Sequence, residues 1–413
     1  MRLQSPARIF CTVVLFFLIV SPASAAETAP ATPASADKPW SLPAVKLPAP
    51  LKHPVIACTP EELDRLKAVL KKGSGDVYWT VMDPIKRAQK AATQPLEFPP
   101  RGGQHNQWYQ CDKCQMALDT VDATHHKCPK CGTVYSGAPY DDVIFSKVHS
   151  ENLSRMSQCA WAWALTGDAA CADFATQVLL GYAERYEAYP YHDNSVGKKP
   201  GASGGHLMEQ TLNEAMMLSQ QIAVSYDLLY DRLSTDDRKK IETGLILPML
   251  KNIDKNKMTK SNWQTWHNAA MLAGGAVLGD VTWVEKALSQ KDNGFVSQME
   301  ISVTGDGMWF ENSWGYHFYT LMAMVLITED ARRLGIDLWS HPRLKKMFTL
   351  AAQYTMADGT LPRFGDDVSS SAQGNPNLME PAYAVYKDPV LLALLSDKPT
   401  WYSTLAGRDP AAK

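Results

Sequence analysis

Asp306-Gly-Met-Trp-Phe-Glu-Asn-Ser-Trp-Gly-Tyr-His-Phe-Tyr-Thr320 is the stretch on which the reading of this chain turns. A Gly-bearing turn delivers a carboxylate, two tyrosines and a histidine into the start of a long apolar helix. A solvated loop has no use for so many aromatics, and a plain core helix has no use for Glu311, Tyr316, His317 and Tyr319 together. About forty residues earlier, Ser261-Asn-Trp-Gln-Thr-Trp-His-Asn-Ala-Ala270 is a second polar and aromatic cluster, and it too opens an apolar helix. Two helix starts bearing amide, imidazole and phenol groups suggest one shared site.

Outward from these clusters the chain reads as helices. Thr59-Pro-Glu-Glu62 has the form of a capping box with Pro at the first helical position, and predicts a helix to about Lys72. Apolar periodicity predicts further helices over about 149–165, 168–187, 206–231, 236–253, 263–278, 281–290, 313–334, 342–357 and 379–395. Ser234-Thr-Asp-Asp237 marks one of these starts. No fixed-period repeat is present. Helices of this length on short loops suit a ring of antiparallel hairpins. Ala269–Leu278 and Leu321–Ile327 are apolar nearly all round, as inner helices of such a ring must be. Periodicity fits a bundle or a solenoid equally well.

With 413 residues, 45% hydrophobic and 20% charged, the chain has ordinary globular composition and ample length for a large core. A net charge of -2 supplies no global field to steer nucleic acid, so nucleic acid is not an expected partner. An acidic substrate must be held by local groups. At the N-terminus, Arg2 and Arg8, the apolar run Ile9–Val20 and Ala23-Ser-Ala25 read as a signal peptide, residues 1–25. The run is about half a membrane span. The expected location is periplasmic or secreted, with no membrane attachment after cleavage. Residues 26–54, rich in Ala and Pro, read as a flexible or extended linker, and residues 55–413 as the helical domain.

Within that domain, Cys111-Asp-Lys-Cys114 and Cys128-Pro-Lys-Cys131 are paired CxxC knuckles. Four thiolates on two tight turns suit tetrahedral zinc, and the segment 105–140 reads as a zinc-ribbon-like insertion. Two disulfides are the alternative that export permits. Eight cysteines less Cys11 of the leader leave seven, an odd number that disfavours full pairing. Cys159 and Cys171 read as a possible pair or as two buried thiols. With four cysteines completing the shell, the metal is structural. No organic cofactor is expected.

The chain resembles the heparinase II/III-like and oligoalginate lyase group of polysaccharide lyases. The residues that carry the resemblance are Cys128–Gly137 with Pro139-Tyr-Asp141, Tyr182–Tyr186 with Tyr189-Pro-Tyr191, Gly204–Glu214, Asn262–Asn268, Asp306–Tyr319 and Asp358–Asp366. They cover roughly residues 100–370, and their order along the chain is more specific than any one alone. The resemblance implies an all-α fold, an (α/α) toroid whose cleft binds an acidic polysaccharide or oligosaccharide of alginate or heparin type and cleaves it by β-elimination. Elimination across C4–C5 of a uronate needs donors on the carboxylate, a base at C5 and an acid at O4, and a tyrosine can fill one or both of the last two roles. By the family pattern Tyr316 matches the catalytic tyrosine and Asn262 the carboxylate-neutralising amide, with His267 a donor to the carboxylate, a partner base or a group that orients Asn262. Glu311, His317, Tyr319, His206, Glu209, Trp266 and Arg363 are candidates to line the cleft and bind substrate. Two departures stand out. Trp263 follows Asn262 where some alginate lyases carry His, and the chain ends at Lys413 with no room for the usual C-terminal β-sandwich. A glycoside hydrolase using two of Asp306, Glu311, Asp366 and Asp367, or a non-catalytic carbohydrate-binding protein, would fit the same outline.

Overall fold

The computed structural model describes residues 40–197, 201, 203–367 and 370–410. The expected signal peptide and the first part of the expected linker lie outside these residues. Residues 40–54 lack regular structure but are packed down. Trp40 donates to Ser340 Oγ at 3.0 Å and its ring meets His341 at 4.5 Å. His53 Nδ1 and the backbone N–H groups of Val55, Ile56 and Ala57 all converge on the buried Asp227 carboxylate. Residues 40–54 thus form an extended strap that leads into the domain.

The first helix, α1 (Pro60–Lys72), begins with the reciprocal Thr59–Glu62 capping box and stops at Gly73, whose φ of 73° ends the helical run. α2 (Asp76–Ala92) is an addition to the sequence reading; Pro84 interrupts its apolar pattern yet is accommodated inside the helix. Three very short strands follow, β1 (Asp119–Thr120), β2 (His126–Lys127) and β3 (Val134–Tyr135), paired antiparallel in that order. α3 (Tyr140–Thr166) starts nine residues before the expected position 149, because its first turn is polar: Asp141 is buried there by a contact with His126 of the small sheet. α4 (Ala169–Arg185) returns from α3 across a two-residue turn.

The helix expected from 206 starts at Thr211, since the backbone N–H groups of His206, Leu207 and Met208 are taken by Glu214 instead of by a helix. α5 (Thr211–Met217) and α6 (Ala223–Leu229) form one rod through a π turn at Leu218–Ile222. α7 (Thr235–Ile241) and α8 (Leu247–Lys255) do the same through Glu242–Ile246. Next come α9 (Asn262–Leu278), α10 (Val281–Ser289), the unanticipated α11 (Phe295–Ile301), α12 (Trp314–Arg333) and α13 (Pro342–Tyr354). The stretch expected as one helix over 379–395 is split at Lys387 and Pro389 into α14 (Pro376–Tyr386) and α15 (Pro389–Leu392), and α16 (Trp401–Ala406) closes the described chain.

Packing follows a ring. α3, α6, α9, α12 and α14 succeed one another on the inside, while α4, the α7–α8 rod and α10 back them. α16 packs on α1, closing the circle, and Arg65 donates to Leu405 O at 2.6 Å across that seam. The fold is therefore an (α/α) toroid. α9 is its most enclosed member, with every residue from Gln264 to Val277 buried. Gly275 lets α10 approach, for a Cβ there would stand 2.6 Å from Trp283 Cβ.

Candidate active site

Two inner helices begin beside one cavity of about 690 Å³. Ser261 Oγ accepts from Trp263 N and caps α9, which releases the Asn262 side chain from capping duty. Asn262 Nδ2 donates to both Glu311 oxygens at 2.9 Å, and Trp309 Nε1 donates to Glu311 Oε2 at 2.6 Å. Glu311 thus orients the amide. Asn312, at φ 52°, turns the chain so that Glu311 faces the cavity just before α12 opens. Tyr316, 39% exposed, lines the same cavity from the first turn of α12. Asp366 beside it, then burial, then Glu311 hold its phenol above the ordinary value.

Asn262, Glu311, Tyr316 and Tyr319 are brought together. Tyr319 is half-buried, its hydroxyl against Met216 Sδ at 2.9 Å, and burial pushes it up to about 12. The other expected residues stand apart. His267 is fully buried on the far side of α9, with Nε2 against Thr211 Oγ1 at 3.1 Å, and burial drives it down to about 3. It is a neutral core histidine outside the cleft lining. His317 is equally buried: Nδ1 accepts from Trp309 N and Nε2 donates to Met347 O at 3.0 Å, so it staples the turn to α13. Trp266 is a core side chain packed on Tyr319. His206 is held by Tyr189 O at 2.7 Å between Tyr186 and Tyr191. Glu209 is buried, with Oε1 on Asn213 and Oε2 without a partner, and burial raises it to about 7. Arg363 is exposed and outside the lining.

Sequence reasoning missed Ser261 and Trp263 as lining residues, though both sit in the quoted cluster, and Leu212, which sits within the Gly204–Glu214 motif. Three carboxylates line the cleft, those of Glu311, Asp366 and Asp367, and no Lys, Arg or His does among the described residues. Asp367 is committed: Oδ1 accepts from Ser313 Oγ and Gly315 N, and Oδ2 from Trp314 N, capping α12. Asp306 bonds Thr304 and borders a neighbouring cavity.

Away from the cleft, Cys111, Cys114, Cys128 and Cys131 bring their sulfurs within 4.8 Å of one another, unpaired by disulfides. The two knuckles repeat one geometry. Cys111 N donates to Met116 O and Cys128 N to Thr133 O, and the residues after the second cysteines, Gln115 and Gly132, both have positive φ. The Cys111–Cys131 sulfur separation of 3.7 Å matches the edge of about 3.8 Å of a tetrahedron with metal–sulfur bonds of about 2.3 Å. The donor set fits a tetrahedral thiophilic ion.

A helical toroid with an amide and a phenol at two neighbouring helix starts defines a class, and the sequence comparisons agree with it: the chain belongs to the alginate lyase family, whose model matches residues 144–360. It is similar to an alginate lyase of Stenotrophomonas maltophilia, 34% identical over 192 residues, covering 45% of this chain and 25% of that protein. It is also similar to an exo-oligoalginate lyase of Saccharophagus degradans, 31% identical over 216 residues, covering 49% and 28%. The match thus spans only about a quarter of the length of these curated relatives. Among solved structures, alginate lyase A1-III of Sphingomonas species A1 superposes with a TM-score of 0.56 at 14% identity, over 86% of this chain and 97% of that one, which supports the fold.

Proposed function

We propose that this protein is a polysaccharide lyase that cleaves alginate or its oligosaccharides by β-elimination. The observation that carries the reading is the shared cleft of Asn262, Glu311 and Tyr316 at the openings of α9 and α12. Asn262, held by Glu311, offers an amide hydrogen to the uronate carboxylate and to the enolate that develops from it. Tyr316, on the same cleft, gives its proton to the departing O4. Tyr319 and Trp263 supply the wall against which the sugar ring rests. The substrate assignment rests on the names of both curated relatives. A hydrolase finds less support here, since Asp367 is spent on a helix cap and Asp306 faces another cavity.

The four cysteines hold zinc in this reading. It is a structural ion that ties the small sheet together and takes no part in the elimination. The N-terminal segment directs export to the periplasm or the medium. The test is a panel of polyuronates followed by ultraviolet absorbance. Elimination makes an unsaturated, absorbing uronate and hydrolysis does not. An absorbance gain on alginate is the expected result; reducing ends without absorbance would overturn it.

A further inference from the structure

The lyase reading gives Tyr316 the proton at O4 and leaves the base at C5 open, since His267, a partner base by one reading of the sequence, is sealed in the core. Three carboxylates line the cleft, and two are committed. Glu311 takes hydrogen bonds from Asn262 and Trp309 on its oxygens, and Asp367 takes three from the first turn of α12. Asp366 is the one that remains, exposed and lining the same cleft as Tyr316. Its position is not left to a loose loop. Asp367 clamps the next residue to α12, Trp314 Nε1 donates to Pro362 O at 2.8 Å, and Gly365 fits so closely that a Cβ would lie 2.8 Å from Asn312 O. The segment 362–367 is thereby fastened to the turn that carries Tyr316.

We infer that Asp366 is the general base of the elimination and forms a catalytic dyad with Tyr316. This rests on the lyase reading above. Asp366 takes the C5 proton, and the electron pair of the C5–H bond becomes the C4=C5 double bond. C4–O4 breaks with its electrons on O4, which receives the Tyr316 hydroxyl proton. Asp366 is left as the acid beside a phenolate, and its proton crosses to Tyr316, restoring both groups for the next turnover. A carboxylate is a competent base next to a carbonyl once the enolate is stabilised, and Asn262 supplies that stabilisation. Acid and base share one side of the ring, so the C5–H and C4–O4 bonds must be cis. That is the arrangement in D-mannuronate and not in its C5 epimer, L-guluronate.

The experiment uses the full chain on polymannuronate and polyguluronate. Asp366→Ala is expected to lower turnover by on the order of 10²–10⁴-fold, with formate restoring turnover as its concentration rises, while binding of a saturated mannuronate oligosaccharide persists. Asp366→Asn, nearly isosteric, covers the case in which Ala loosens the loop: it loses turnover as far, at the melting temperature of the unsubstituted protein. Near-normal elimination by Asp366→Asn, failure of formate to rescue Asp366→Ala, or a preference for polyguluronate overturns the dyad. Absence of unsaturated product from the unsubstituted protein on every polyuronate overturns the lyase reading instead.

Discussion

At the scale of single residues, the contrast between Tyr316 and its neighbours is one of angle around a helix. Residues advance by about 100° each, so Tyr319 falls within about 60° of Tyr316 and reaches the same cleft, whereas His317 turns into the core. His267 lies about 140° around α9 from Asn262 by the same count. The quoted motifs therefore showed which residue types were present but not which of them shared a face with the cleft. Tyr316→Phe is expected to cut turnover by on the order of 10²–10⁴-fold with little change in melting temperature. Tyr319→Phe, which removes only a contact to the Met216 sulfur, is expected to leave most of the rate. Steady-state kinetics on one oligouronate compares both, and a reversal of the two would place the acid one turn further along. Glu209 makes a prediction about stability. Its folded-state value, about 7, lies above the ordinary 4.5 because of burial. The stability it permits is whole below about 4.5 and is lost as pH rises toward 7, where the unfolded chain ionises freely. Glu209→Gln should raise stability at pH 8 by on the order of 1–3 kcal/mol and change little at pH 4, which thermal melts at the two pH values will read.

At the scale of elements, the small sheet and the toroid are joined by few but buried contacts. His126 Nε2 meets Asp141 Oδ1 at 2.9 Å and its Nδ1 meets Tyr109 Oη at 2.8 Å. A sheet of two-residue strands buries too little to hold itself together, and the metal proposed at the four cysteines would supply the cross-link. Elemental analysis of the purified protein should find about one zinc per chain. Cys128→Ser should lower the melting temperature, while any protein that survives folded keeps its elimination chemistry. A metal-free protein with two disulfides among these cysteines would end the zinc assignment. The CxxC spacing pointed in advance to four cysteines that gather at one place. α2 and α11 were not legible, since a mid-helix Pro84 and a seven-residue length each erase the periodic signal.

At the scale of the whole molecule, ring closure depends on residues far apart in the chain. Glu62 of α1 receives Arg332 and Arg333 from α12, and Arg333 also reaches Ile56 O at 2.7 Å. Among the imidazoles that the toroid buries as neutral groups, three are fully enclosed. Burial lowers His149 to about 4, His267 to about 3 and His317 to about 4. Unfolded imidazoles take up protons near 6.5, so this contribution is complete above about 6.5 and is lost as pH falls toward 4. The melting temperature should fall across that window, and His267→Gln, which cannot charge, should flatten the slope. An unchanged slope would mean that these histidines protonate in the folded state.

The sequence by itself determined the helical class, most helix bodies, the paired CxxC turns and the two clusters that meet at the cleft, because each is written in local periodicity, capping chemistry or spacing. Only the tertiary structure decided that Glu214 unwinds 206–210, that Asp367 caps a helix some fifty residues before it, and that His267 and His317 belong to the core. It alone set Asp366 and Tyr316 on one cleft. These outcomes depend on which distant groups arrive at the same place, and no local pattern along the chain encodes that meeting.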